Sequence, residues 1–395
     1  MFKNITKAFK RSSALDANNS AQSYFYQLNA PVWSNRDYKK FADEAYTKNV
    51  IAHRAIAMIA QAAASVPFKL YGANKTAIEQ HPILNLLNHP NPSSSGKEFM
   101  ESLYSYRQIA GNAYVLGVTG NNNTPHELYA LRPDRISILP GENFVPNGYR
   151  YKVGAYIKDY LVNPLSGRSQ ILHLKNFHPL SDWYGLSSIE AAAYSIDQHN
   201  QAGEWNQSLL QNGARPSGVI VVQGEKGRAR GLTEKQFHQL KSSIEETFAG
   251  PKNAGRPLLL EGGLDWKEMS MSPKDMDFIE SKHSSARDIA LALGMPPQLL
   301  GIPGDNTYSN LQEARLALWE QTIIPMVDNV VNNLNNWLVP YFGKDLRLDY
   351  DIESISAIAE RKESMWAKIE NCSFMTTNEK RAQFNLPPID ESKQK

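Results

Sequence analysis

From Asn49 the run NVIAHRAIAMIAQAAASV places apolar residues at every helical turn and nearly all round the axis, which predicts a buried helix ended by Pro67. FKLYG then reads as a strand. HPILNLLNHPNPSSSGKEFMESLYSYRQIAGNAYVLGV opens with two proline-rich turns, after which the serine run Ser93, Ser94, Ser95 caps an amphipathic helix from about Lys97 to Ile109. AYVLGV, ELYALRP, ISILPG, YRYKVG and QILHLK alternate apolar and polar positions between Gly, Pro and Asn turns, the pattern of small antiparallel sheets. Up to about Gly185 the chain is therefore α+β.

Ser187 to Asn212 differs in character: it holds no proline, starts on a capping serine and keeps only Ile189, Ala193, Ile196, Gly203 and Leu210 on one sparse stripe. As one helix it would reach about 39 Å. Its remaining surface is Gln, Asn, His and small residues, which suits helix contacts around a wet channel; the alternative is a loosely packed surface helix. PSGVIVVQG (strand), GEKGRARG (basic loop), LTEKQFHQLKSSIEETFAG (helix), RPLLLEGG and LDWKEMSM (strands) follow as a β-α-β-β insert of about 55 residues, too small to stand alone. A second long helix opens at Ser272 with Pro273 at its first position and stops at Gly294 before Pro296 and Pro297. After the loop GIPGDNTYSN, a third runs from Leu311 to Leu338, with a kink expected at Pro325. The tail predicts a strand in DLRLDYDIE, a helix around RKESMWAKIE and a short helix capped by Thr377. There is no internal repeat.

Length and charge narrow the function. The 395 residues are enough for two or three cores without a disulfide or metal staple. Forty-two Lys plus Arg against forty Asp plus Glu leave +2, which excludes a polybasic clamp that holds duplex through many phosphates. No apolar run approaches the ~18 residues of a membrane span. A lone cysteine, Cys372, excludes an internal disulfide framework and a cysteine-ligated metal site, and points to a reducing, cytoplasmic compartment. At the N-terminus, Phe2, Ile5 and Phe9 could form a short amphipathic arm, the alternative being a frayed end; the segment lacks a secretory h-region.

The search for chemistry finds no convergent set. Asn91 to Glu98, NPSSSGKE, ends in Gly-Lys like a phosphate-binding loop, but lacks the first glycine, a preceding strand and the Mg-binding Ser or Thr, so it reads as a helix cap. Ser187 lacks the second glycine of a nucleophile elbow and reads as an N-cap. His173, His178 and Asp182 are metal ligands in principle, and satisfied turn residues by the simpler reading. Glu245/Glu246 and Asp275/Asp277 fit a solvated helix face and a helix N-terminus, not an acid/base pair. No catalytic, metal or cofactor site is expected, and the chain is not read as an enzyme.

The order long helix, β-α-β-β insert, long helix, polar loop and kinked third helix resembles the portal proteins of tailed bacteriophages and of phage-derived gene transfer agents. Segments of the same kind recur in that family: HPILNLLNHPNP, AGNAYV from Ala110, LYALRPDR from Leu128, FHPLSDWYGLSSIEAAAYSIDQHN from Phe177, GARPSG from Gly213, NAGRPLLLEGGLDWKEMSMSPKDMDFIESK from Asn253, ALGMPPQLLGIPGDNTYSN from Ala292 and MTTNEKRAQFNLPP from Met375.

The resemblance implies an α+β portal fold: an outer wing (1–185, with 1–25 an arm), stem helices (186–215 and 272–300), a clip (216–271), a tunnel loop (301–309), a kinked wing helix (310–345) and a helical crown (346–395). It implies a dodecameric ring in a virion or phage-like particle, assembled in the bacterial host cytoplasm. The ring would contact double-stranded DNA, the large terminase subunit that supplies the energy, a head-tail adaptor and the major capsid protein, with no membrane. Twelve helices packed 8 to 10 Å apart give a circumference of about 120 Å and an opening of about 28 Å, wide enough for duplex DNA, whereas eight leave roughly 15 Å. Expected tunnel residues are Asp305, Asn306, Thr307, Tyr308 and Ser309, with Lys282 and Arg287 as inward charges; Lys226, Arg228 and Arg230 in the clip would meet terminase or adaptor, or form a solvated hairpin tip. Competing classes are another ring-forming head-tail connector and an α+β hydrolase or nuclease.

Overall fold

The computed structural model describes residues 38, 41–74, 76–120, 124–141, 145–211, 218–222, 233–235, 238–239, 242, 264–268, 278–304, 307–343, 345–383 and 388–389. Helix α1 (Val50–Ala64) follows a π-helical segment, Phe41–Thr47. Next come β1 (Phe68–Tyr71), α2 (Pro82–Asn88), α3 (Gly96–Ala110), β2 (Asn112–Thr119), β3 (Pro125–Leu131), β4 (Ile136–Leu139), β5 (Gly148–Val153), β6 (Tyr156–Leu161) and β7 (Ile171–Lys175). Then α4 (Ser188–Ala191), α5 (Ala193–Gln211), β8 (Gly218–Val222), β9 (Leu264–Glu268) and α6 (Phe278–Ala292) lead to α7 (Tyr308–Ala317), α8 (Ile324–Trp337), β10 (Arg347–Tyr350), α9 (Ser356–Glu370) and α10 (Thr377–Ala382).

The α+β reading holds. The sheets are small and antiparallel, in the orders β3-β2-β7, β4-β5-β6, β1-β10 and β8-β9. Asn49 caps α1, its Oδ1 accepting from the amides of Ile51 and Ala52 at 3.1 and 3.0 Å. Ile56, Ile59 and Ala60 of α1 are fully buried with Leu103 and Tyr104 of α3 and Val330 and Leu334 of α8 in one core. A second cluster, Tyr114, Ile136, Ile138, Tyr149, Tyr160, Ile171 and Tyr184, joins the sheets β3-β2-β7 and β4-β5-β6.

Several expectations shift. PILNLLN is a helix, α2, where turns were expected: Pro82 sits in its first turn and His81 Nδ1 accepts from the Ile83 amide, which offset its short length. YIKDYL, not anticipated, forms β6, whose Tyr156, Ile157 and Leu161 stay exposed. The helix expected from Ser187 breaks at Ala192, and its buried stripe is Ile189, Ala192, Ile196 and His199, passing beside Ala193 and Gly203. The third helix starts at Tyr308, three residues early, because Thr307 Oγ1 caps it by accepting from the Asn310 amide. At Pro325 the helix widens: Leu318–Ile323 is π-helical and the Ile324 amide reaches the Trp319 carbonyl, five residues back. The wider turn accommodates a residue that has no N–H and crowds the preceding carbonyls. β10 pairs with β1 from Phe68↔Tyr350 to Tyr71↔Arg347, so this strand, expected with the tail helices, forms a two-stranded sheet with the N-terminal part of the chain. Finally, Thr376 and not Thr377 caps α10, since only Thr376 has Glu379 three residues on to complete the capping box.

Candidate functional site

The helix pair α5/α6 is rooted in a junction of small and polar residues. A Cβ at Gly111 would lie 2.4 Å from the Gly185 carbonyl and one at Gly185 2.2 Å from that of Gly111, so both positions require glycine, and Gly111 is left-handed besides (φ +70°). Asn112, fully buried, binds both sides of the contact: its Oδ1 accepts from the Gly185 amide (2.8 Å) and its Nδ2 donates to the Gly185 and Ala110 carbonyls. The same Oδ1 accepts from His173 Nε2 at 2.9 Å, which sets the histidine tautomer. Two residues on, Ser187 donates to the Ile109 carbonyl and accepts from the Ile189 amide at 3.0 Å, which starts α4.

From this root α5 and α6 pack side by side. Ser195 donates to Asp288 at 3.4 Å and Ser285 to Gln198 at 3.3 Å, so the helices are antiparallel. Their far ends lead into β8 and β9, paired antiparallel from Gly218↔Glu268 to Val222↔Leu264. One side of the pair faces the core through Ile196, Ala286, Ile289 and Ala290. Asn49 Nδ2 ties it to α1 by donating to His199 Nδ1 (3.2 Å) and Asn200 Oδ1 (2.9 Å). Tyr194, Ile279 and Leu291 are exposed at 87, 71 and 77%, an arrangement that a lone copy leaves facing water.

The residues anticipated for the channel are distributed as follows. Lys282 on α6 is half-buried beside His199, and burial together with the Lys282 charge lowers the His199 pKa. Arg287 donates from Nη2 to the Pro303 carbonyl, so it is engaged with main chain. Thr307 is spent as a helix cap, while Tyr308, 78% exposed, and Ser309 lie in the first turn of α7 and not in the loop. Asp305, Asn306, Lys226, Arg228 and Arg230 lie outside the described residues.

The other motifs resolve into structure. Ser95 and Glu98 form a capping box at α3, so NPSSSGKE is a helix start. His178 Nδ1 accepts from the Leu180 amide at 3.0 Å, and the Asp182 carbonyl accepts from Lys175 Nζ. Among the described residues no group of three or more His, Cys, Asp or Glu could hold a metal ion, and no helix is long and apolar enough to cross a membrane. Sequence reading did not single out Asn112, Asn176 or Arg107. Arg107 is buried, with Nε donating to Asn176 Oδ1 at 2.7 Å, and Asn176 Nδ2 donates to the Leu186 carbonyl at 3.1 Å. Of the three, only Asn112 lies inside a recurrent segment, AGNAYV; Arg107 and Asn176 carry no sequence signal.

Residues 51–385 match the model of one family, described as phage portal protein. The chain belongs to the phage portal protein family. Among its relatives, a protein of Rickettsia bellii is 47% identical over 376 residues, covering 95% of this chain and 96% of that one. The portal protein of Enterobacteria phage HK97 is 26% identical, covering 88% of this chain and 81% of that one. Among solved structures, the neck of a native gene transfer agent particle, computed with C12 symmetry, superposes with a TM-score of 0.69 at 39% identity, covering 91% of this chain and 96% of that chain.

Proposed function

We propose that twelve copies of this portal chain stand in a ring at one vertex of a phage-like particle and form the conduit through which double-stranded DNA is packaged and later released. The observation that carries the reading is the antiparallel α5/α6 pair, polar and exposed on the side away from the core, in a portal-family chain resembling at 39% identity a neck solved with C12 symmetry. Copies side by side would cover Tyr194, Ile279 and Leu291 and turn the polar helices into a wall.

In this reading residues 186–215 and 272–300 are the stem, 216–271 the clip, 1–185 with 310–345 and the strand β10 the wing, and the rest of 346–395 the crown. Lys226, Arg228 and Arg230 meet acidic surfaces of the terminase or the head-tail adaptor, and the loop ahead of α7 meets DNA. The near-neutral charge suits a conduit, because each tight phosphate contact would oppose sliding. The chain is assembled in the bacterial cytoplasm, contacts the major capsid protein, and leaves energy supply to the terminase. Native mass spectrometry with negative-stain imaging of the purified full chain tests the ring. Twelve-fold circular particles are expected; a monomer at every concentration, also in the presence of shell protein, would overturn the reading.

A further inference from the structure

Helix α6 ends where Gly294 (φ +68°) turns the chain into the short 3-10 segment Pro297–Leu300. Gly301 (φ +70°) turns it again, and Ile302, 5% exposed, inserts into the main core. Beyond Ile302 the apolar grip ends: Pro303 has no N–H to donate and Gly304 has no side chain to bury. Arg287 takes over, reaching from α6 to donate through Nη2 to the Pro303 carbonyl at 2.5 Å. Gly304 lies beside the guanidinium: a Cβ there would make an ordinary contact with the same Nη2 at 3.6 Å. The chain re-enters regular structure at Thr307, whose Oγ1 accepts from the Asn310 amide. Arg287 has no carboxylate partner among the described residues, and neighbouring Asp288 is engaged by Ser195 of α5.

A guanidinium given over to a main-chain carbonyl fixes geometry, whereas one that contacts phosphate adds affinity and salt dependence. We propose that Arg287 is a positioning residue, which fastens the root of the loop between α6 and α7 to the stem helix so that the loop follows α6, and that it is not a DNA-contacting cation. The inference rests on the channel reading. Three residues separate Pro303 from Thr307, a contour of about 15 Å at 3.8 Å per step. Anchors at both ends therefore limit how far the loop can shift, and release of the Pro303 anchor lengthens the free segment.

The test compares full-length wild type with Arg287→Ala and Arg287→Lys. Ring formation is read by native mass spectrometry, amide exchange over residues 301–308 by mass spectrometry, and DNA retention by filled particles across a salt series. All three chains are expected to form rings. Arg287→Ala exchanges about fivefold faster across the segment, as loss of one hydrogen bond of about 1 kcal/mol implies, and retains less DNA. Arg287→Lys, which keeps a donor, restores both, and the salt slope of retention is the same in all three. Exchange unchanged in Arg287→Ala overturns the proposal, and so does a log-log salt slope lower by about 0.9 for each copy whose Arg287 touches a phosphate, hence by about 0.9 or more in the ring. A wild-type chain that makes no ring overturns the channel reading and this inference together; wild-type rings with unaltered exchange overturn only this inference.

Discussion

Lowering the pH from 7 to 5 is expected to destabilise the fold through His173 of β7, and His173→Gln removes that share of the loss. The ring stacks on Tyr114 at 4.5 Å and meets Tyr149 edge-on at 5.9 Å, and its Nε2–H donates to Asn112. Burial, with a smaller contribution from the Lys175 charge, pushes the pKa from 6.5 down to about 3. The unfolded chain therefore takes up a proton near 6.5 and the folded chain only near 3, so the folded state binds fewer protons and stability falls as the pH drops through that window. At 1.36 kcal/mol per unit, and with the unfolded histidine partly charged at pH 7, the loss from pH 7 to pH 5 comes to about 2 kcal/mol. Urea unfolding at both pH values, on wild type and His173→Gln, gives this as the difference between the two pH effects; the other eight of the nine histidines are common to both chains and cancel. Gln can still donate to Asn112, so the junction is kept. Equal pH effects in the two chains, or a His173 ring resonance that titrates near 6.5 in NMR, would refute the argument.

Gly111→Ala combines a left-handed φ with a Cβ 2.4 Å from the Gly185 carbonyl, so it is expected to cost roughly 1–3 kcal/mol or more, read as a lower urea midpoint. Thr376→Ala is expected to cost about 1 kcal/mol locally and to speed amide exchange over Thr377–Ala382, whereas Thr377→Ala stays within about 0.5 kcal/mol; the reverse order would show that the wrong residue is taken as the cap. Asn335 mimics a strand neighbour, accepting from the Leu348 amide and donating to its carbonyl at 2.7 Å each, so Asn335→Ala should destabilise β10 by about 2 kcal/mol, seen as faster exchange of the Leu348 amide.

What the sequence made legible was local. The caps at Ser95 and Ser187 each act within three residues of themselves, so the pattern that predicts them is also the pattern that makes them. β6 escaped because its apolar residues do not alternate with the buried face: Ile157 and Leu161 are exposed, and only Tyr160 packs inward. The π-helical turn escaped because Pro325 announces that an ordinary ladder fails without saying whether the helix bends or widens. Ser309 and Tyr308 were placed in a loop because the Thr307 cap is indistinguishable by sequence from the polar residues around it.

The junction that roots the helix pair shows why the recurrent segments were informative although no residue in them is chemical. AGNAYV contributes Gly111 and Asn112, and FHPLSDWYGLSSIEAAA contributes Gly185 and Ser187; the two segments are some seventy positions apart in the chain and meet atom against atom. At 2.2 to 2.4 Å from a carbonyl no side chain larger than hydrogen fits at either glycine, and Asn112 satisfies groups from both segments and holds His173 as well. Such a site constrains both segments together, while neither contains a motif that propensity or periodicity would flag. A structural part is specified in this way: close packing of Gly111 against Gly185, with Ser187 capping α4, fixes where the chain enters α5, and α6 packs alongside through the hydrogen bonds of Ser195 to Asp288 and Ser285 to Gln198.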